Sequence, residues 1–509
     1  MISFALCSFA QELPTFVIKV DRFIVEGENP LSPAATEQVL SEYRGSYDSL
    51  DGLLAAKDAL EKAFAAEGYS FHRVILPRQR LSDGVVRLQT LVYKIGEITV
   101  SGNKHFNEKN ILGSVSKIKP GVTPNTREIA RIINHANRHP SKQLDINLRE
   151  SEIPDSVDAV VSVKDRRPYT VFSALNNIGS DETGDTRITV GAQYNNLWNL
   201  DHRITGTYTT SPENTRNVKQ YGVTYSLPLY WIFGEITSFY LKSDVDTGTV
   251  GDFEISGAGE FIGASFRQVL PRMGKYRHEW SVGIQDRLFE NDVFFLAIPL
   301  GADVRSRPFN LGYAGAYTRE SFSTDFDVSY TSNLSSGHRN SNPSYAAARS
   351  GADSNWNAWR FSGSLNYFLP KKWLARGTLR GQLADEPLIA GEQMGIGGVH
   401  SVRGFEQRVA AGDNVIQGSV EVWSPPITLL GAARALAFYD YGYKDLENAL
   451  PGQADHADFL SSAGVGMRWQ WTEHLTVSVD YGHTLDRALQ FDGRETGNVK
   501  WNFSIYLRL

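Results

Sequence analysis

The feature that most constrains this 509-residue sequence is an alternation of apolar and polar side chains that continues from about residue 168 to the end. It is clearest in the last segment, 499–509, which reads VKWNFSIYLRL. Every second residue there is apolar and the intervening ones are mostly polar, with Tyr506 as the exception. Side chains alternate between the two faces of a strand, so this segment has one apolar face. Its length suits a tilted strand that crosses a bilayer.

Similar segments recur along the second part of the chain, and about 16 candidate strands can be counted after residue 167. The clearest are 187–195, 202–210, 219–229, 277–287, 323–333 and 357–368. A soluble β-sandwich also alternates, but it would not usually need so many strands of this length. Trp and Tyr at the segment ends suit the aromatic girdles of a membrane protein. A closed barrel also removes every sheet edge, as lipid requires. We therefore predict a transmembrane β-barrel over 167–509.

Composition is compatible with this prediction. The sequence contains no run of 18 apolar residues, and its mean hydropathy of −0.30 is what an alternating barrel produces. A net charge of −6 gives no indication of nucleic-acid binding. The single cysteine, Cys7, excludes a disulfide within the chain. We interpret residues 1–13 as the remnant of a signal sequence or a disordered leader.

Residues 14–166 have a different organisation, in which helical and strand patterns alternate. Strand, helix, helix, strand, strand is the order in 14–94, and the same order returns in 95–166. Each copy opens with a strand that runs into glycine, in IVEGEN and TVSGNK. Ser32, followed by Pro33, is placed to cap the first helix. We predict two small α+β domains.

One loop, at about 384–414, breaks the alternation near the end of the chain. It contains IGGVHSVRGFE at 396–406. Five strand candidates follow the loop and eleven precede it, which makes it the sixth long loop of a 16-stranded barrel. A lone arginine inside a narrow barrel needs a partner, and a carboxylate that accepts two bonds suits it best.

The alternation identifies carboxylates that could meet this arginine, Arg403. In 433–444, the alanines and tyrosines that share one face must point to lipid, so Asp440 points into the lumen. By the same reasoning Glu421 and Arg468 also point inward. We predict Asp440 as the first partner of Arg403 and Glu421 as the second.

Two β-α-α-β-β repeats followed by a barrel with SVRGF in a late loop resemble the two-partner secretion transporters (TpsB). These are outer-membrane exporters of the haemolysin and filamentous-haemagglutinin type, within the superfamily of outer-membrane assembly factors. The stretch 68–91 resembles the end of the family's first POTRA domain, and 176–204 resembles its first barrel hairpin. FYDYG at 438–442 matches the family's F-x-D-x-G motif.

This resemblance implies both a site and a function. The sixth loop would fold back into the barrel, so that the motif Val402, Arg403, Gly404 and Phe405 forms a latch against Asp440 and Glu421. The POTRA domains would capture an unfolded exoprotein at a sheet edge and a helix groove, individual residues unspecified, and the barrel would export it. Further expected partners are outer-membrane lipid and the barrel assembly machinery, with no nucleic acid and no cofactor.

Enzymatic and metal-dependent functions have little support. His135 and His139 are four residues apart, but the stretch HANRH lacks the glutamate of a metalloprotease motif, and we expect neither a catalytic nor a metal site. Two alternatives remain. An assembly factor of the same superfamily would usually carry more POTRA domains, and a passive porin would need neither the repeats nor the SVRGF loop.

Three features depart from the family pattern. The family's N-terminal plug helix is either absent or lies upstream of residue 1. The second repeat ends in LRESEIPDSVDAVVSV, where the family more often has a proline-glycine turn. The chain also ends in Leu509 rather than Phe or Trp, so recognition by the assembly machinery would depend on Trp501, Phe503 and Tyr506.

Overall fold

The computed structural model describes most of the chain after residue 16. The described ranges are 17–81, 83–180, 183–245, 248–250, 253–255, 258–290, 294–295, 298–299, 303–428, 431–448, 457–485 and 498–509. Cys7 and the leader at 1–13 lie outside them. The chain divides into two compact units. One takes in residues up to 165 except 105–110 and 139–141, and the other contains those two segments and everything from 166 onward.

The first repeat consists of strands and helices in the order that the sequence predicts, with one addition. Its elements are β1 (Ile18–Val20), β2 (Arg22–Glu26), α1 (Pro33–Ser41), β3 (Gly45–Tyr47), α2 (Asp51–Ala66), β4 (His72–Ile75) and β5 (Val85–Val92). The predicted strand over 16–27 is divided at Asp21, because its two parts pair with different strands: β1 with β3, and β2 in parallel with β5. Ser32 caps α1 by accepting a hydrogen bond from the Ala35 amide.

The second repeat has the same plan without the additional two-stranded sheet of β1 and β3. It comprises β6 (Lys94–Ser101), α3 (Glu108–Ser114), α4 (Thr126–Ala136), β7 (Lys142–Glu150) and β8 (Ser156–Asp165). In both repeats the last strand is the centre of a three-stranded sheet, in the orders β2-β5-β4 and β6-β8-β7. The first sheet is covered by a core that includes Leu53, Leu60 and Phe64 of α2.

Sixteen antiparallel strands close the barrel within the described residues. They are β9 (Tyr169–Asn176), β10 (Arg187–Leu197), β11 (His202–Thr210), β12 (Lys219–Leu229), β13 (Gly234–Ser243), β16 (Gly259–Val269), β17 (Tyr276–Phe289), β20 (Val304–Ser306) continued by β21 (Pro308–Thr318), β22 (Phe322–Asn333), β23 (Asn357–Phe368), β24 (Leu374–Ala384), β27 (Asn414–Trp423), β28 (Ala432–Asp445), β29 (Ala457–Gln470), β30 (Leu475–Thr484) and β31 (Val499–Arg508). The barrel closes where β31 pairs with β9.

The loops between these strands contain several short elements. They are the hairpins β14 (Gly248–Val250) with β15 (Phe253–Ile255), β18 (Phe294–Phe295) with β19 (Ile298–Pro299) and β25 (Met394–Ile396) with β26 (Ala410–Gly412), the helix α5 (Asn342–Ala348), and 3-10 turns at Tyr230–Ile232 and Pro370–Lys372. Among the described residues, no helix is long and apolar enough to cross a membrane.

The faces of the barrel strands follow the predicted alternation. Val420 and Trp501 are 63% and 60% exposed, whereas their inward neighbours Glu421 and Asn502 are buried. The outer surface is therefore apolar and the wall of the lumen is largely polar, as the bilayer requires. The predicted fold class, POTRA followed by a 16-stranded barrel, is confirmed.

Candidate functional site

The SVRGF segment lies in the loop between β24 and β27, residues 385–413, which we call loop 6. Eleven barrel strands precede this loop and five follow it, as the sequence predicts. Val402 and Phe405 are fully buried and pack against Val415 and Leu460, which belong to the inward faces of β27 and β29. The middle of loop 6 is therefore inside the barrel.

Arg403 and Asp440 form a bidentate ion pair. The Nε and Nη2 atoms of Arg403 each donate to a separate Asp440 oxygen at 2.7 Å, and the Arg403 amide donates to the same carboxylate at 3.0 Å. Asp440 is fully buried and Arg403 is 3% exposed. Such a pair removes two charges from water, and its geometry must compensate for the lost hydration.

Further polar groups complete the surroundings of the guanidinium. Its Nη2 atom donates to Ser419 Oγ at 2.9 Å and lies 2.8 Å from Glu421 Oε1. On the other side, Nη1 is 3.5 Å from Asp480 of β30, and Asp480 also accepts two bonds of 2.9 Å from Arg468. Three carboxylates and two guanidinium groups thus meet in one cluster, which we call the tip cluster.

The F-x-D-x-G motif contacts loop 6 at each of its fixed positions. The guanidinium carbon of Arg403 is 3.5 Å from the centre of the Phe438 ring, a cation–π distance, and Asp440 binds the same group. At Gly442, an added Cβ would lie 2.9 Å from a methyl of Val402. In this motif, therefore, the Phe438 ring and the Asp440 carboxylate both bind the Arg403 guanidinium, and the missing side chain of Gly442 leaves room for Val402.

Asp480 and Gly482 are site residues that the sequence analysis missed. A Cβ at Gly482 would lie 2.6 Å from the Gly404 amide nitrogen, so the two glycines allow loop and strand to approach closely. Gly404 has a φ of +100°, which favours glycine independently. A signal was present: the triplet Asp-Tyr-Gly occurs at 440–442 and again at 480–482.

The cluster is suited to holding loop 6 in place. Arginine remains protonated, and the surrounding carboxylates and the Ser419 hydroxyl accept its hydrogen bonds. Among the described residues, no group of three or more His, Cys, Asp or Glu side chains is placed so that it could hold a metal ion. The arrangement is an ionic anchor that joins a loop to three strands.

Comparison with known proteins assigns this architecture to a family. The family model described as haemolysin secretion/activation protein ShlB/FhaC/HecB matches residues 155–469, and the model for the ShlB-type POTRA domain matches residues 18–91. The chain belongs to this haemolysin secretion/activation family. Its members are two-partner secretion transporters, so the protein is an outer-membrane transporter that exports a partner exoprotein, with periplasmic POTRA domains. This assignment favours export over the assembly-factor and porin alternatives.

Individual relatives are distant but extend over most of the chain. The heme/hemopexin transporter protein HuxB of Haemophilus influenzae is 21% identical over 89% of this chain and 80% of its own length. The outer membrane transporter CdiB of Dickeya dadantii is 23% identical over 81% and 74%. Among solved structures, CdiB from Escherichia coli covers 99% of this chain and 93% of its own at a TM-score of 0.78 and 18% identity. BamA from Haemophilus ducreyi covers 97% and 100% at 0.53 and 14%.

Proposed function

We propose that this transporter captures its unfolded exoprotein on the open edge of the second repeat and that Arg403 latches loop 6 inside the barrel between export events. The observation that carries the latch is the bidentate, buried contact between Arg403 and Asp440. Releasing the loop requires this contact to break, which makes it the natural control point for a lumen that has to admit a chain.

Strand β4, one of the two edge strands of the first sheet, is short and partly occupied. Strand β4 has only four residues, and the outward amide of Val74 donates to Glu61 Oε2 of α2 at 3.2 Å. Glu61 also forms an ion pair with Arg73 of the same strand. An extended segment would have to displace this carboxylate before it could pair with β4.

Strand β7, an edge strand of the second sheet, is longer and more open. Strand β7 has nine residues, and Asn137 occupies both the amide and the carbonyl of Leu144. Because alternate residues of an edge strand direct their backbone groups outward, Ile146 and Leu148 present the next outward positions. Main-chain pairing there would bind an unfolded client with little demand on its sequence, which supports β7 as the capture edge.

A groove between α1 and α2 offers a second surface for the client. It has a volume of about 700 Å³ and is lined by residues that include Leu31, Val39, Tyr43, Ala63 and Tyr69. Small alanines on α2 leave room between the helices, and tyrosines on both sides supply apolar surface with polar ends. We assign apolar side chains of the client to this groove.

The capture edge is tested by Ile146→Pro, which removes an outward N–H group without removing a ladder bond of the sheet. Ile146→Ala is the matched control, because it shortens the side chain and keeps the N–H. With the transporter co-expressed with its exoprotein, we expect Ile146→Pro to lower secretion by about tenfold and the control to lower it by less than about twofold. Equal effects of the two variants would contradict capture at this edge.

The latch is tested by Arg403→Ala and Arg403→Lys. We expect a folded barrel in the outer membrane for both, and secretion reduced most by the alanine variant, because lysine keeps the charge but cannot make the bidentate contact. Secretion of the co-expressed exoprotein into the medium is the measurement, and heat-modifiable migration reports the folded barrel. Wild-type secretion by Arg403→Ala would disprove the latch.

Two further partners follow from the exposed apolar band of the barrel. Outer-membrane lipid covers this band, and the barrel assembly machinery inserts the strands. In the last strand Trp501 lies on the lipid face at 60% exposure, with Phe503 on the same face, and Tyr506 lies on the opposite face at 38% exposure; we assign recognition by that machinery to this strand.

A further inference from the structure

An apolar core fills part of the extracellular half of the lumen, where a barrel wall is ordinarily polar. Inward-facing Phe239, Phe261 and Phe289 come from the neighbouring strands β13, β16 and β17. Buried against them are residues from two loops, Tyr345, Trp356, Leu388 and Ile389. Burying these large side chains on a lumen wall creates a dry contact between wall and loops.

One of these loops is the segment 334–356 between β22 and β23, which we call loop 5. Its shape is fixed by hydrogen bonds to Asn333, whose side-chain amide donates to Asn340 Oδ1 at 2.8 Å and to the Ser354 carbonyl at 2.7 Å. Tyr345 of α5 donates to the Arg305 carbonyl at 3.3 Å. Burial raises the pKa of Tyr345 to about 12, so its hydroxyl keeps its proton at physiological pH.

Loop 5 is tied to loop 6 by a second bidentate ion pair. Arg349, directly after α5, donates to the two oxygens of Asp413 at 2.6 and 2.7 Å. Asp413 is the last residue of loop 6 before β27. The side chain of Arg349 is 13% exposed and that of Asp413 is fully buried. The contact is therefore largely enclosed, although the Arg403 side chain at the tip cluster is less exposed, at 4%.

Asp413 also accepts hydrogen bonds from donors outside loop 5. It accepts from the Leu388 amide at 3.0 Å, from the Gln393 side chain at 3.1 Å and from the Glu447 amide at 2.9 Å. These bonds join the two ends of loop 6 and the beginning of the loop after β28. Loop 6 thus keeps its base when Arg349 leaves. The ion pair, together with the bonds that Arg349 donates to the Leu388 and Glu447 carbonyls, is the polar seam between loop 5 and this base.

A second carboxylate fastens the base of loop 6 to the barrel wall. Glu392 is fully buried in its side chain, and its Oε2 lies 2.7 Å from Arg287 of β17 and 3.2 Å from Arg360 of β23. At Gly391 next to it, an added Cβ would lie 2.3 Å from the Phe289 ring. The base therefore remains attached to the wall beside the apolar core.

We propose that loop 5 and the base of loop 6 form a cap over part of the extracellular lumen, and that this cap opens by separating Arg349 from Asp413. Arg349 and Asp413 are then positioning residues of a gate that is distinct from the tip cluster. This inference builds on the export function of the family and does not depend on the capture edge or on the Arg403 latch.

The chemistry of the seam suits a contact that opens reversibly. Two buried ions regain their hydration when they separate at the cell surface, which offsets much of the attraction that is lost. An apolar seam of the same size would instead expose hydrocarbon to water and resist opening. Opening also withdraws Tyr345 of α5 from the apolar core, which favours the closed cap, while the Glu392 contacts hold the base of loop 6 on the wall.

The decisive experiment measures ion current through the barrel. The proposed capture and latch are tested by secretion, so a negative result for the gate can be distinguished from a negative result for either of them. The full-length transporter carrying Cys7→Ser, Arg349→Cys and Asp413→Cys is inserted in a planar bilayer in potassium chloride. A short bismaleimide with an internal disulfide then bridges the two cysteines. We expect the bridge to lower the open fraction by about tenfold and reduction to restore it.

The matched control places the same bridge within loop 5. Asn342 donates to Asp353 across this loop at 2.8 Å, and both side chains are exposed. A bridge between Asn342→Cys and Asp353→Cys leaves the seam free, so we expect no change in open fraction. Equal currents before and after reduction of the seam bridge would overturn the proposal.

A single substitution tests the gate independently if the cysteine variant does not fold into a barrel. Arg349→Ala removes the seam contact and leaves the other donors of Asp413 in place. We expect its open fraction to rise by about tenfold, with Arg349→Lys intermediate, while heat-modifiable migration stays that of a folded barrel. An unchanged open fraction in Arg349→Ala would overturn the proposal.

Discussion

The tip and the base of loop 6 are both fixed by ion pairs, but the loop contributes the positive charge at the tip and the negative charges at the base. At its tip the loop contributes a cation, Arg403, to carboxylates of β28, β27 and β30. At its base it contributes two anions, Glu392 and Asp413, to arginines of β17, β23 and loop 5. The tip and the base of loop 6 therefore contact different parts of the protein.

The two ends also differ in what surrounds the charges. The tip is enclosed by the Phe438 ring and by the glycine contact between Gly404 and Gly482, so little can move there without losing the ion pair. The base adjoins an apolar core and has several alternative donors for Asp413. We therefore expect the tip and the base to respond differently when their ion pairs are removed.

The largest effect is expected for Asp440→Ala at the tip. The substitution leaves Arg403 buried without its bidentate partner, which should lower the free energy of unfolding by about 3–5 kcal/mol. Urea unfolding of the barrel in liposomes measures it. Glu421→Ala is the control, because Glu421 contacts Arg403 through one oxygen only and otherwise accepts a bond from Trp423 Nε1, so its loss should cost less. If both variants unfold at the same urea concentration, the bidentate contact of Asp440 contributes no more to stability than the contacts of Glu421.

An intermediate effect is expected for Glu392→Gln at the base. The amide keeps the shape of the side chain but leaves Arg287 and Arg360 without an anion between them, which should cost about 1–3 kcal/mol. The same urea titration measures the loss of stability, and bilayer current should rise as well. Glu386→Gln alters an exposed carboxylate of the same loop and should change neither. If Glu392→Gln has the stability and the bilayer current of the parent protein, the Glu392 contacts do not fix the base of loop 6.

The smallest effect is expected for Arg468→Gln at the rim of the tip cluster. The side chain of Arg468 is 25% exposed, and its partner Asp480 keeps a second cation, Arg403, at 3.5 Å. We expect a loss of about 1 kcal/mol in the urea titration, because water can replace much of the contact. A loss as large as that of Asp440→Ala would show that the tip depends on the whole cluster rather than on one bidentate pair.

Much of the fold could be predicted from the sequence because strands impose a period of two. Once one apolar face is recognised, the inward positions of Asp440, Glu421 and Arg468 follow from counting. The number of strands places SVRGF in loop 6 for the same reason. The division of the first strand at Asp21 could not be predicted, because it depends on which strand each part pairs with.

By itself, then, the sequence determined the barrel, the two repeats and the inward carboxylates, since each of these depends on local periodicity. Only the tertiary structure decided which of them meet. Asp480 reaches Arg403 because β30 faces the tip of a loop that begins far earlier in the chain, and Gly482 is required by that close approach. Arg349 finds Asp413 because loops 5 and 6 fold over the same lumen. Contacts of this kind depend on the path of a loop, which no local period encodes.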